Sequence, residues 1–269
     1  MHYDNRPIGV FDSGVGGLTV LKTLSQLLPD ESFVYYGDSL HAPYGEKSRQ
    51  EILTLSKKAV RYLLDKNVKA LVLACNTATS TTKAELMRLY PNIPIFGIEP
   101  ALKPAVKDKH KHILVLATPL TLKLEKFQKF QYQLNQYMEQ TTIHVLPCPG
   151  LANAIEKDVI APGRRETEIF LDELLKPYRR VPVDAVVLGC THYPLIKDSI
   201  KKYFNEPEVY DGYTGLGRHL KTTLEHAKKL ADNRNTQTIT FLSSDQQLVE
   251  SGLYNQVFDA YDHTEGSFQ

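Results

Sequence analysis

The sequence predicts an α/β protein whose sheets are mainly parallel and whose chain is divided into two lobes. Three observations lead there. Short apolar runs alternate with longer helical patterns, the runs are apolar throughout rather than at every second residue, and one block of strand plus cysteine occurs twice. The runs are Ile8 to Phe11, Phe33 to Tyr36, Ala70 to Ala74, Ile93 to Ile98, Ile113 to Ala117, Ile143 to Leu146 and Ala185 to Leu188. Between them, Leu18 to Leu28, Ser48 to Leu64, Lys83 to Tyr90 and Leu122 to Tyr137 carry apolar residues at helical spacing.

The repeated block runs from Lys69 to Thr77 and again from Val183 to Thr191: an apolar strand, a small residue, a cysteine, then polar residues leading toward a helix. Glu99 to Pro104, with two prolines, reads as a crossing between lobes, and the glycine-rich Asp211 to Gly217 as the return. The expected lobes are residues 1–98 with 212–269, carrying Asp12 and Cys75, and residues 99–211, carrying Cys190 and His192, the second inserted in the first.

The composition is that of a folded globular chain: 269 residues, 42% hydrophobic and 23% charged. Thirty-two basic against thirty-one acidic side chains leave a net charge of +1, so bulk electrostatics predict neither nucleic acid nor an acidic membrane as partner. The N-terminal apolar stretch is too short for a secretory signal and no run is long enough for a membrane span, so a cytoplasmic protein is expected. Three cysteines without a CxxC pair do not make a disulfide framework; in a reducing compartment they remain thiols.

Cys75 and Cys190 each end a predicted buried strand, where open α/β sheets bind ligands. A helix starting there would favour the thiolate through its positive end and lower the thiol below its usual value. Either each cysteine is such an acid/base group or each is a small buried hydrophobe. Asn76, Thr77, Thr191 and His192 beside them are either polar ligand contacts or helix caps, with His192 placed to relay the proton of Cys190. Asp12 opens a strand-to-helix turn, Asp12 to Gly17, that is either a tight turn or an anion-receiving site with Asp12 as a relay to the thiol. Its glycines do not meet GxGxxG, because Thr19 stands at the last position, and no Walker pattern occurs, which argues against a nucleotide. His41 to Gly45 follows the second strand and falls at the same sheet edge. Cys190 and His192 lack metal-ligand spacing, so no metal is expected. Cys148, between Pro147 and Pro149, has no neighbouring acid or base and reads as structural.

Taken together, Ile8 to Gly17, Pro43-Tyr44-Gly45, Ala74 to Thr79 and Gly189 to Pro194 closely resemble the motifs of the glutamate racemase family, in the family's order and across most of the chain. The resemblance implies two pseudo-symmetric α/β lobes enclosing one glutamate, with Cys75 and Cys190 as opposed acid/base groups and neither cofactor nor metal. It implies that Cys75 takes the α-proton of D-glutamate and Cys190 that of L-glutamate, that Asp12 assists Cys75 and His192 assists Cys190, and that Glu156 is a further acid near the second thiol. By the same resemblance Asp12, Ser13, Pro43, Tyr44, Gly45, Asn76, Thr77, Thr118, Thr121, Thr191 and His192 line the substrate pocket. A bacterial source, a role in supplying D-glutamate for peptidoglycan, and a homodimer are implied as well. The chain departs from the commonest family pattern at Pro119-Leu120, between the two threonines, and at Pro149-Gly150-Leu151, ahead of Glu156.

Inverting an α-carbon needs a base on one face and an acid on the other, which two opposed thiols supply. The alternatives are an aspartate racemase of the same superfamily, which usually carries an acid where this chain has His192; a non-catalytic amino-acid binding protein, which would need no opposed thiols; and a thiol hydrolase, which would use only one.

Overall fold

The computed structural model describes residues 3–137 and 141–261. From the N-terminus, β1 (Ile8–Asp12), α1 (Gly17–Leu27), β2 (Phe33–Gly37), α2 (Arg49–Leu64), β3 (Ala70–Leu73), α3 (Asn76–Leu89) and β4 (Ile95–Gly97) alternate strand with helix. The chain then crosses into α4 (Leu102–Lys107), β5 (His112–Ala117), α5 (Pro119–Lys123), α6 (Glu125–Tyr137), β6 (Thr142–Pro147), α7 (Leu151–Ile160), α8 (Glu166–Leu175), β7 (Ala185–Gly189), α9 (Lys197–Tyr203) and β8 (Glu208–Tyr210). It returns through α10 (Tyr213–His226), β9 (Ile239–Ser243), α11 (Gln246–Glu250) and α12 (Leu253–Ala260).

The strands form two wholly parallel sheets, ordered β4-β3-β1-β2-β9 and β6-β5-β7-β8. Reading β1 to β4 against β5 to β8, the order is the same: the second strand lies on one side of the first, and the third and fourth on the other. The fold is therefore α/β and internally pseudo-symmetric, with β9 added outside β2. In each half the strand order reverses beside the first strand, so a crevice opens at the carboxyl ends of β1 and β3 and another at those of β5 and β7, the switch points where such sheets take ligands.

Continuous apolar strands follow from covering both faces. Val10, Val72 and Tyr35 pack with α1, α10 and α12 on one side of the first sheet, while Phe11, Leu71 and Leu73 pack with α2 and α3 on the other. In the second sheet Leu114, Val186 and Leu188 face α7 and α8, while Ile113, Val115 and Val187 face α4 and α5. Burying one such Val or Leu side chain contributes about 1.5–3 kcal/mol, which is why the register is strongly specified.

Several expectations need correction. Helix α3 begins at Asn76 rather than Lys83. Its first turns are rich in threonine and serine, which do not show as an apolar stripe, but their hydroxyls bond back into the chain: Ser80 Oγ donates to Asn76 O at 2.8 Å and Thr82 Oγ1 to Ala78 O at 2.7 Å. The helix expected over 122–137 is two, broken at Leu124, with Thr118 capping the first and Pro119 in its opening turn. The crossing at 99–104 runs into α4, whose Pro104 sits in the first turn, where its missing N–H is no loss. The return crossing is shorter than Asp211 to Gly217: only Asp211 and Gly212 remain outside helix, Gly212 at φ 84 being the left-handed residue that starts α10. Strands β8 and β9 lie at sheet edges, and neither is a continuously buried run.

Gly189 ends β7 opposite Ala117 of β5, one residue before Cys190. A Cβ at position 189 would lie 2.7 Å from Ala117 Cβ and 2.9 Å from Leu116 O, and this neighbour is sheet backbone that cannot swing aside. Gly189→Ala is expected to lower stability by about 1–3 kcal/mol, the range for overpacking, seen as a lower urea midpoint at unchanged slope.

Candidate active site

Cys75 follows β3 and Cys190 follows β7, at equivalent places in the two halves. Cys75 is the N-cap of α3: its Sγ accepts from Ala78 N at 3.4 Å and lies 3.4 Å from Ser13 Oγ. The helix expected to lower its titration is present, but burial outweighs it. With the side chain sealed from water and the Asp12 carboxylate nearby, the Cys75 thiol is pushed up to about 12 despite the bonds from Ser13 and Ala78. Cys75 is therefore a thiol at neutral pH, which corrects the expected thiolate. Cys190 contributes to the same effect, so the two sulfurs are near enough for charge on one to disfavour charge on the other.

Cys190 has a different environment. No α-helix starts directly after it; a 3-10 turn over Tyr193–Ile196 intervenes before α9. In place of a helix end it has His192, whose Nδ1 is 3.8 Å from Cys190 Sγ. The other ring nitrogen, Nε2, is paired with Glu156 Oε2. Burial opposes charge on His192, but Glu156 and Cys190 prevail and hold its titration well above the usual imidazole value. The ring is thus an imidazolium with one N–H toward Cys190 and the other toward Glu156, and an adjacent cation favours a thiolate.

Glu156 is buried in the second turn of α7, which Gly150 starts from a left-handed φ of 79. Its carboxylate also accepts from Val15 N, 3.2 Å to either oxygen, in the turn after β1. That N–H belongs to the half containing Cys75, so the acid on one sheet is completed by backbone from the other. A second such tie joins Asp12 Oδ2 to Thr191 Oγ1, which donates at 3.1 Å, while Asp12 Oδ1 accepts from Gly14 N at 2.9 Å. A third is threonine to threonine: Thr77 Oγ1 lies 3.1 Å from Thr118 Oγ1, itself 2.9 Å from Thr121 Oγ1. Tyr44 is buried, half-buried Pro43 precedes its turn, and a Cβ at Gly45 would lie 2.9 Å from Thr118 Cγ2. Asn76 is buried with no hydrogen-bond partner for its Nδ2, a donor free for a ligand.

The residues singled out from sequence thus converge on the seam between the two sheets. Asp12 reaches Thr191 rather than Cys75, to which it offers only its field; Ser13 is the direct neighbour of that thiol. Cys148 does have company, being packed in the same apolar cluster as Cys190, with its thiol bonded to Leu146 O at 3.3 Å and pushed up to about 12 by burial. The reading from sequence missed the backbone of Val15, and it missed Thr19, whose hydroxyl donates to Gly16 O at 2.7 Å and lies 3.2 Å from Thr191 O and 2.9 Å from Tyr213 Oη. Their only signal was adjacency to the Asp12 turn. Among the described residues no three His, Cys, Asp or Glu side chains are grouped to hold a metal ion, and no helix is long and apolar enough to cross a membrane.

The sequence profile of the Asp/Glu/Hydantoin racemase family matches residues 8–216. The chain belongs to this family. Within it, the chain is 43% identical over 250 residues to a glutamate racemase of Clostridium perfringens, covering 91% of this chain and 94% of that one. Among solved structures it is similar to the RacE1 isoform of glutamate racemase from Bacillus anthracis (34% identity, TM-score 0.77, 90% of this chain and 89% of that one). It is similar also to the glutamate racemase of Francisella tularensis in complex with D-glutamate (30% identity, TM-score 0.79, 97% and 96%). The family's α/β architecture is the one seen here.

Asp12 is wholly buried, and burial pushes its carboxyl up to about 6 from 3.8, against the opposing pull of His192, the Gly14 N–H and the Thr191 hydroxyl. A raised carboxyl binds its proton more tightly in the folded than in the unfolded state. Its contribution therefore favours folding most at low pH and is lost as pH rises from about 4 to about 6. Raising this carboxyl from 3.8 to about 6 corresponds to about 3 kcal/mol. Asp12→Asn lacks this titration, so its stability relative to the parent is expected to rise by up to about 3 kcal/mol between pH 4 and pH 7, read from urea denaturation at each pH.

Proposed function

We propose that this protein is a glutamate racemase that interconverts L- and D-glutamate by proton transfer between Cys75 and Cys190. The observation that carries the proposal is the pair of buried thiols at equivalent strand ends of two pseudo-symmetric halves, one thiol without a cationic neighbour and the other beside an imidazolium. We assign residues 1–98 with 212–269 to one catalytic lobe and residues 99–211 to the other.

The asymmetry suits the chemistry. In the proposed cycle Cys75 starts as the acid, carrying its proton, and Cys190, beside the His192 imidazolium, as the base. With L-glutamate bound, Cys190 takes the α-proton while Cys75 delivers its own to the opposite face. The products are D-glutamate, a Cys190 thiol and a Cys75 thiolate; D-glutamate reverses each transfer. Charge developing on the substrate carboxylate is met by donors already in place, among them Asn76 Nδ2 and the hydroxyl of Thr77, while the Thr191 hydroxyl stays with Asp12. Ser13, Thr118, Thr121 and the Pro43-Tyr44-Gly45 turn complete the pocket. Asp12 and His192 tune their thiols without replacing them, and Glu156 keeps His192 charged. No pyridoxal group or metal takes part. The glutamate bound by the Francisella tularensis relative supports glutamate over aspartate. The proposal also places the enzyme in the cytoplasm as a homodimer that supplies D-glutamate to peptidoglycan synthesis, the dimer being checked by sedimentation.

Purified protein is expected to racemise L-glutamate and leave L-aspartate nearly untouched, followed by optical rotation, and to retain activity after dialysis against a chelator. In deuterated water the product formed in either direction should carry α-deuterium. Cys75→Ala and Cys190→Ala should each lose roughly 10²–10⁴-fold or more in turnover, the range for a missing acid/base group, while His192→Ala and Asp12→Asn lose less. Product that keeps the substrate's own α-hydrogen, or a Cys75→Ala variant that still racemises at the parent rate, would overturn the two-base assignment.

A further inference from the structure

The segment 39–47 links β2 to α2 and crosses the seam at its second half. Gly45 abuts Thr118, and Glu46 Oε1 accepts from Gly150 N at 3.1 Å, both partners lying in the half that carries Cys190. Its far end is fixed by a capping box, with Ser48 Oγ accepting from Glu51 N and Ser48 N donating to Glu51 Oε2 at 2.9 Å. Its near end is tied to β9 and α12, where Leu40 N donates to Ser244 Oγ at 3.0 Å and Ser39 Oγ lies 2.8 Å from Tyr254 Oη. What holds the middle is Asp38. Its backbone N donates to Asp12 O at 3.0 Å, and its carboxylate, only 5% exposed, takes one partner on each oxygen. His41 Nδ1 is 2.7 Å from Oδ1, and Tyr44 Oη donates to Oδ2 at 2.6 Å.

Both partners belong to the segment itself, so one carboxylate folds it into a strap. Tyr44 is 1% exposed and its ring meets Phe11 edge-on at 6.1 Å between centroids. Buried there, its hydroxyl has Asp38 as acceptor, and a buried donor left without one is expensive. Asp38 had no place in the reading of the sequence and takes no part in the proton transfers proposed above. We infer that Asp38 is a positioning residue which, through Tyr44 and His41, holds the strap 39–47 across the seam in the substrate-binding geometry and so sets the affinity for the amino acid. The inference rests on the racemase reading for its kinetic consequence, although the strap itself can be tested without it.

Without Asp38 the closed strap is one of several conformations, and substrate binding must first select it. Affinity falls by the fraction still closed, while the closed complex contains the same reacting groups. Asp38→Ala is therefore expected to raise KM by roughly tenfold with kcat within about threefold of the parent. Asp38→Asn, whose side-chain oxygen still accepts from Tyr44, should recover most of that loss. Tyr44→Phe breaks the same link, so the double variant Asp38→Ala/Tyr44→Phe should be no worse than the weaker single variant. A merely structural role would lower kcat through loss of folded enzyme at unchanged KM. Hydrogen exchange followed by mass spectrometry gives the reading independent of activity: Asp38→Ala and Tyr44→Phe should each speed exchange in 39–47 and leave β1, β3 and β7 as in the parent. Unchanged exchange in 39–47, a fall in kcat at constant KM, or losses that multiply in the double variant would overturn the proposal. A parent enzyme with no racemase activity on glutamate would sink the function and leave the exchange experiment to judge Asp38.

Discussion

Glu156 and His192 face each other inside the protein with almost no water, and the Val15 N–H from the other sheet closes on the same carboxylate. A buried charge without a partner is among the more damaging things a fold can contain, several kcal/mol per ion, whereas a pair with its remaining lone pairs filled can be tolerated. Here the filling requires both halves of the molecule. Glu156 reaches His192 within its own half but finds Val15 only if the carboxyl ends of the two sheets face each other. The same holds for Asp12, whose second oxygen is satisfied by Thr191 across the seam. Polar groups that each half cannot satisfy alone thus set how the halves sit together, and the thiols are carried into place by that docking.

The environment of the thiols then differs in a way the repeated strand-cysteine block conceals. After β3 the chain turns directly into a helix, and the helix end points at Cys75; yet the side chain is so thoroughly buried, beside Asp12, that the thiol form prevails. After β7 the chain makes a 3-10 turn instead, and a cationic imidazole stands where the helix end would have been. Two copies of one structural theme thus surround their thiols differently, one with a helix end and a carboxylate, the other with a cationic imidazole.

Some of this was legible in the residues and some was not. Continuous apolar runs marked the central strands β1, β3, β5 and β7, because burial on both faces is what such runs encode, and they also marked β6, an edge strand that is only half-buried. They did not mark β8 and β9, edge strands that are only half covered. Apolar spacing found α1 and α2 but not the threonine-rich opening of α3, where the helix is held by hydroxyls bonding back to carbonyls and by a cysteine cap. The motif residues Asp12, Cys75, Thr77, Cys190 and His192 were legible as candidates because each stands beside a strand end. Thr19, Val15 and Asp38 were not, because their importance lies in partners 172, 141 and 6 residues away.

By itself the sequence determined the alternation of strand and helix, the parallel character of the sheets and the two cysteine blocks, since each is a local pattern of burial or of residue type. Only the tertiary structure decided that Cys75 stays protonated while Cys190 meets a cation, that Glu156 belongs to His192 and Val15 together, and that Asp38 knots the strap. The physical reason is that ionisation and buried hydrogen bonding depend on what surrounds a group in space, and here those surroundings come from strands that are distant in the chain and adjacent only once both sheets have folded and met.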